Sequence, residues 1–236
     1  MSYILANPEI VWALFLQHLR LTAIALAVAL LIALPLGTLL HRYRWLATPV
    51  LGALGILYTV PSIALIILLL PFFGLNPTSV IVALVLYSQV ILVRNIVAGL
   101  AAVDPAILEA ARGMGMNARQ RWWRVQLPLA LPYILAGVRI AAIVSIGIAT
   151  IGALFNAGGL GRLLFDGITQ AGRYDKIWAG AITVGVLALG VNWGLLALER
   201  AFDPAARIRR AERRAQGGRP GRPDRQTVEN AQPMQG

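Results

Sequence analysis

With 236 residues, 58% of them hydrophobic and only 13% charged, the chain carries about half the charge fraction of an ordinary soluble domain. It has no cysteine, which excludes disulfides and thiolate metal sites, and its two histidines, His18 and His41, lie too far apart along one helix to share a metal. The net charge of +11 is concentrated between long runs that lack Asp, Glu, Lys, Arg and His, so the expected fold class is all-α and integral to a membrane.

In chain order, residues 1–18 read as an extracytoplasmic or interfacial segment. No basic stretch precedes Ile10, and the first apolar run is long enough to remain as a span, so no cleavable leader is expected. Five spans follow at about 19–40, 49–73, 78–101, 132–154 and 177–199. Each can cross a hydrocarbon core of about 30 Å. The second is interrupted by Pro61 and Ser62, beside Tyr58 and Thr59, because proline removes a helix donor and bends the axis. That segment is either a candidate lining of a translocation pathway or a purely structural kink. Tyr87 and Gln89, in the third span, are pathway candidates of the same kind.

The segment 104–128 links the third and fourth spans. Asp104 is an N-cap, Pro105 a favoured first helical residue, and Gly113 and Gly115 stop signals, so a short helix is expected between them. Held between two spans, it forms a rigid knob that fits a groove on a soluble partner. In the fourth span Gly137, Ala141, Ser145, Ala149 and Ala153 recur every four residues, a small-residue ridge for close helix packing. Two deep arginines, Arg94 and Arg139, are expected to snorkel or to pair with protein carbonyls. Residues 156–161, Asn-Ala-Gly-Gly-Leu-Gly, read as a flexible loop where an external partner docks. Residues 201–236 read as a basic, disordered cytoplasmic tail, and nucleic-acid binding is not expected of it.

Charge placement orients the chain. With the N-terminus outside, Arg42, Arg44, Arg112, Arg119, Arg121, Arg124 and the arginine-rich tail all fall on the cytoplasmic face, as the positive-inside rule requires. The spans hold no acid at depth, which argues against an ion-coupled carrier. No His, Asp, Glu or Ser/Lys cluster at one depth supports an embedded enzyme, so no catalytic residue, metal or cofactor is expected in this chain. A phosphate-cradling loop is absent as well, since the only lysine is Lys176, between Asp175 and Ile177.

The run Glu109-Ala110-Ala111, three residues, Gly115, nine residues, Val125, one residue, then Leu127-Pro128 resembles the EAA signature of ABC-importer permeases, with Val125 where isoleucine is usual. The chain is similar to the type I importer family with a five-helix, methionine-permease-like core. The resemblance implies that Glu109, Ala110, Ala111, Gly113, Gly115, Leu127 and Pro128 form the segment that couples to an ATPase subunit. It further implies a second permease chain (homodimer or heterodimer), an extracytoplasmic substrate-binding protein and a cytoplasmic-membrane location. Thr59-Val60-Pro61-Ser62, Ala83 to Tyr87, Arg94-Asn95, Val103-Asp104-Pro105, Gly113 to Met116 and Gly158 to Gly161 resemble osmoprotectant permeases, for glycine betaine, carnitine, choline and similar amines. Ser88 to Leu92 departs from the Leu-Leu-Pro-Ile-like stretch of those relatives, which implies a straighter third span. Another small solute, such as an amino acid or an alkyl sulfonate, is the alternative cargo. A permease-fold exporter or membrane scaffold is the alternative class.

Overall fold

The computed structural model describes residues 2–170 and 172–202. The basic tail expected from residue 201 lies, beyond Phe202, outside the described residues. In order, the helices are α1 (Ser2–Ala6), α2 (Pro8–Arg42), α3 (Arg44–Thr59), α4 (Ser62–Phe73), α5 (Pro77–Ala101), α6 (Pro105–Gly113), α7 (Ala118–Arg121), α8 (Leu127–Gly152), α9 (Gly161–Thr169) and α10 (Tyr174–Ala201). A π-helical turn, Trp122–Gln126, joins α7 to α8, and a 3-10 turn, Ala153–Phe155, closes α8.

Four of these helical stretches are long and apolar enough to cross a membrane alone, and α3 with α4 supplies a fifth as a bent pair. The expected second span is not one kinked rod. Its two halves meet at 97° across Val60 and Pro61, because Pro61 cannot donate and Val60 adopts extended backbone before it. The first span is longer than expected: α2 runs unbroken for 35 residues and absorbs most of the segment assigned outside the membrane. Its length of about 52 Å exceeds the hydrocarbon core, so part of it stands clear of the core or tilts.

Helix α5 is the centre of the bundle, packed between α2 and α8. It runs unbroken from Pro77 to Ala101, in agreement with the missing proline noted in Ser88 to Leu92. Helices α5 and α8 are antiparallel in one steady register. A Cβ on Gly99 would meet Tyr133, one on Gly137 would meet Asn95, Ser88 Oγ lies 3.3 Å from Ser145 Oγ, and a Cβ on Gly152 would meet Val80. Gly137, Ala141, Ser145 and Ala149 are buried in this seam, while Ala153 falls in the 3-10 turn and is half-buried. Helix α2 contributes an equivalent ridge, Ala25, Ala29, Ala33 and Gly37, all buried. Without a strong hydrophobic drive between helices in lipid, such close backbone approach supplies the packing energy.

By contrast, α3 buries no residue, and α10 buries only Ala179, Gly180 and Leu187. These helices present apolar faces outward, for lipid or for another chain.

Candidate functional site

The segment 104–128 lies at the end of the bundle where α5 stops and α8 begins. Helix α6 starts as its sequence dictates: the Asp104 carboxylate accepts from the Ala106 N–H at 2.8 Å, and Pro105 occupies the first turn. Its end explains the signature glycine. Gly115 has φ +77°, its N–H donates to the Arg112 carbonyl at 2.9 Å, and the Met116 N–H donates back to Ala111 at 3.2 Å. That paired closure needs a left-handed residue, which glycine adopts without a Cβ clash.

Ala111 is buried against the bundle, whereas Glu109, Ala110, Gly113 and Gly115 face solvent. Ile107, Ala110 and Met114 share the exposed face, with Ile107 at 44% and Met114 at 72% exposure. Ile107 and Met114 thus leave an apolar stripe open on α6, outside the membrane-spanning helices.

Leu127 and Pro128 lie outside this stripe, at the start of α8. They set the π turn behind it: the Leu127 N–H reaches back to the Trp122 carbonyl, and Pro128 has no N–H to donate. Asn117 and Gln120 form a reciprocal cap at the start of α7, both bonds at 2.9 Å. Gln126 Nε2 then lies 3.3 Å from His41 Nε2, tying the turn to the end of α2. Between these elements opens a groove of about 610 Å³ edged by Arg42, Leu108, Arg112, Arg121 and Gln126. The π turn thus contacts both α6 and α8 and reaches the end of α2.

The break between α3 and α4 gathers five of the six pathway candidates. The Tyr87 hydroxyl donates to the Val60 carbonyl, and the Tyr58 ring meets the Tyr87 ring edge-on, centroids 5.5 Å apart at 65°. Tyr87 is buried while Tyr58 is 40% exposed, so the pair forms a ledge with one open ring. Thr59 turns its hydroxyl back to the Ile56 carbonyl at 2.7 Å, and Pro61 is exposed beside it. Ser62 opens α4 and is half-buried. Gln89 is not brought to this ledge. It is buried between α5 and α2, where its Nε2 donates to Ala29 at 3.1 Å and to Val85 at 3.3 Å.

The two deep arginines differ. Arg139 forms an ion pair with Glu199 at 3.2 Å and lies 3.5 Å from the Asn192 Oδ1. Arg94 makes no hydrogen bond or ion pair among the described residues.

At the opposite end, the expected flexible loop is buried and pinned. Ala157, Gly158, Gly159, Leu160 and Gly161 are all buried. The Gly159 N–H donates to Gln17 Oε1 at 3.0 Å and the Leu160 N–H to His18 Nδ1 at 3.3 Å. Because Nδ1 accepts, Nε2 carries the proton and donates to the Ile146 carbonyl at 3.2 Å. Gly158 and Gly159, with φ +75° and +78°, let the backbone come this close to α2. The α9 helix that follows, within what read as a plain connection, packs through Gly167 and Leu164 onto α10. Nearby, Arg173 pairs with Asp175 at 2.7 Å, and that carboxylate raises the Arg173 pKa, so the arginine stays cationic.

Sequence reasoning missed the α2 ridge, whose four-residue spacing was present in the sequence. It also missed the Gln17–His18 latch, which joins residues 142 apart and has no local signal.

A family model described as the inner membrane component of binding-protein-dependent transport systems matches residues 25–208. The chain is 41% identical over 207 residues to the osmoprotectant import permease protein OsmW of Salmonella typhimurium, covering 86% of this chain and 96% of the relative. It is 34% identical over 216 residues to the choline transport system permease protein OpuBD of Bacillus subtilis, covering 92% and 96% of the two chains. With the carnitine transport permease protein OpuCB of Listeria monocytogenes it shares 38% over 190 residues, covering 80% and 87%. Among solved structures, an inward-facing form of the MetNI methionine ABC transporter superimposes with a TM-score of 0.74 at 22% identity, covering 82% of this chain and 96% of that one. This last likeness concerns the fold.

Proposed function

The chain belongs to the family of inner membrane components of binding-protein-dependent transport systems, and from that premise we propose that its cargo is a small osmoprotectant: glycine betaine, choline, carnitine or a similar amine. It is a multi-pass permease subunit of an ATP-driven importer and not itself an enzyme. The cargo assignment is supported by relatives, aligned along 87–96% of their length, that are named for osmoprotectant, choline and carnitine transport.

The observation that carries the mechanism is the solvent-facing stripe Ile107, Ala110 and Met114 on a helix closed rigidly at both ends. On this reading α6 enters a groove of the ATPase subunit. Glu109 and Gly115 hold its edge and its end, and the N-terminus of the chain lies outside. ATP binding closes the ATPase pair, α6 moves with it, and the bundle opens outward to receive solute from an extracytoplasmic binding protein. Hydrolysis and product release restore the inward state. A second permease chain covers the open faces of α3 and α4.

The test is ATP-driven uptake of radiolabelled glycine betaine, choline and carnitine by the reconstituted complex. The wild type is expected to carry at least one of them. Glu109→Lys and Gly115→Val are expected to reduce uptake tenfold or more, on the order of 1.4 kcal/mol in coupling. Full uptake by both variants in fully assembled complexes would overturn the coupling role.

A further inference from the structure

Arg94 lies two turns inside the end of α5, is exposed, and makes no hydrogen bond or ion pair among the described residues. No acidic residue lies anywhere between Glu9 and Asp104, so helices α2 to α5 offer nothing to neutralise it beyond the first turn of α2. Arg139, a span away, shows the ordinary solution, an acid and an amide within reach. A lone arginine in an apolar span is kept for work.

Its position says which work. Arg94 stands seven residues after Tyr87 on α5, on nearly the same helix face and about 10 Å along the axis. Side chains lean toward a helix's N-terminus, which tilts Arg94 toward Tyr87. Across the gap, its terminal nitrogen lies 3.3 Å from where a Cβ on Gly55 would stand. Gly55 is one turn before Tyr58 on α3, so the guanidinium reaches toward the tyrosine ledge through space that a side chain would fill.

We infer that Tyr58, Tyr87 and Arg94 form a transient binding site within the permease for zwitterionic quaternary amines. This rests on the osmoprotectant reading above and adds a site to it. The trimethylammonium head sits on the open Tyr58 face, because α3, α4 and α5 carry no acid and leave ring faces as the means of holding such a cation. The carboxylate of the same molecule pairs with Arg94. Tyr87 is a positioning residue: its hydroxyl bond to the Val60 carbonyl fixes the ledge at the helix break. A cation without a carboxylate meets the same ring but finds an uncompensated positive charge beside it. The site therefore discriminates glycine betaine and carnitine from choline.

The experiment uses the complete complex in proteoliposomes, with assembled complex quantified and the three radiolabelled amines supplied in parallel. Arg94→Gln is expected to lower glycine betaine and carnitine uptake about tenfold relative to choline in the same preparation. Gly55→Ala, which presses on the guanidinium without removing it, is expected to shift the ratio in the same direction by a smaller factor. Tyr58→Leu is expected to lower all three about tenfold, whereas Tyr58→Phe keeps them within about twofold. An unchanged betaine-to-choline ratio in both Arg94→Gln and Gly55→Ala, or full uptake by Tyr58→Leu, overturns the site while leaving the osmoprotectant reading intact. A wild-type complex that carries none of the three overturns that reading and the site with it. Should Arg94→Gln fail to assemble, the Gly55→Ala ratio decides.

Discussion

At the scale of single residues, the seam between α5 and α8 sorts glycines that look alike in the sequence. A methyl on Gly137 would sit 2.6 Å from the Asn95 Cβ, an atom fixed to the backbone, whereas Gly147 has nothing within 4 Å. Gly137→Ala is therefore expected to destabilise the purified protein by about 1–3 kcal/mol through overpacking. Gly147→Ala is expected to be neutral or stabilising by up to about 1 kcal/mol, since alanine is the better helix former. Thermal unfolding in detergent compares the two. The four-residue spacing that exposed this ridge was readable because helical periodicity is local. His18 was not readable as a latch. Its partners, Ile146 and Leu160, are far away in the chain, and a buried histidine and a surface histidine look the same in one sequence. His18→Ala leaves the Leu160 N–H unpaired, at a cost of about 1–3 kcal/mol for that buried group, while the Ile146 carbonyl keeps the Thr150 hydroxyl at 3.0 Å. Hydrogen exchange over residues 157–161 is expected to accelerate in that variant. Unchanged exchange would remove the latch from the account.

At the scale of elements, α6 was legible to within a residue because all its instructions are local: a capping acid, a proline in the first turn and a left-handed glycine after the last. The same closure predicts a graded series at Gly115. Asparagine tolerates left-handed backbone better than alanine, and a β-branched residue tolerates it worst. Uptake is expected to fall in the order Gly115, Gly115→Asn, Gly115→Ala, Gly115→Val, with membrane insertion unchanged. A flat series would show that the turn has no part in coupling. The α3–α4 break was legible as an interruption through Pro61, but its 97° angle was not, because the angle depends on what α5 offers to the freed backbone. There the Tyr87 hydroxyl takes the Val60 carbonyl. Helix α9 escaped notice for a related reason. Its nine residues, as many as α6 has, start without a side-chain cap, and it packs on α10.

At the scale of the whole molecule, the count of spans followed from charge-free runs, since lipid forces each one to be helical. What runs of letters do not contain is which face of a helix is left over. The bare α3 and the sparsely buried α10 emerge only once α5 has taken its neighbours. Orientation is open to a direct check, and a chain without cysteine is a ready background for it. Asn117→Cys and Gln170→Cys both replace exposed residues at opposite ends of the bundle. An impermeant thiol reagent applied to intact cells is expected to label the second and not the first, with the pattern equalising after permeabilisation. Labelling of Asn117→Cys alone in intact cells would invert the proposed topology.

The Gln17–His18 contact has a consequence for how the chain is made. Its two halves are synthesised 142 residues apart. At about 5–20 residues per second, roughly 7–30 s separate them on the ribosome. For that interval the first helix already sits in the bilayer with an imidazole and an amide whose partners do not yet exist. The insertion machinery, or a passing lipid headgroup, must shelter them until the glycine turn arrives, so biogenesis of this protein ends where its sequence begins.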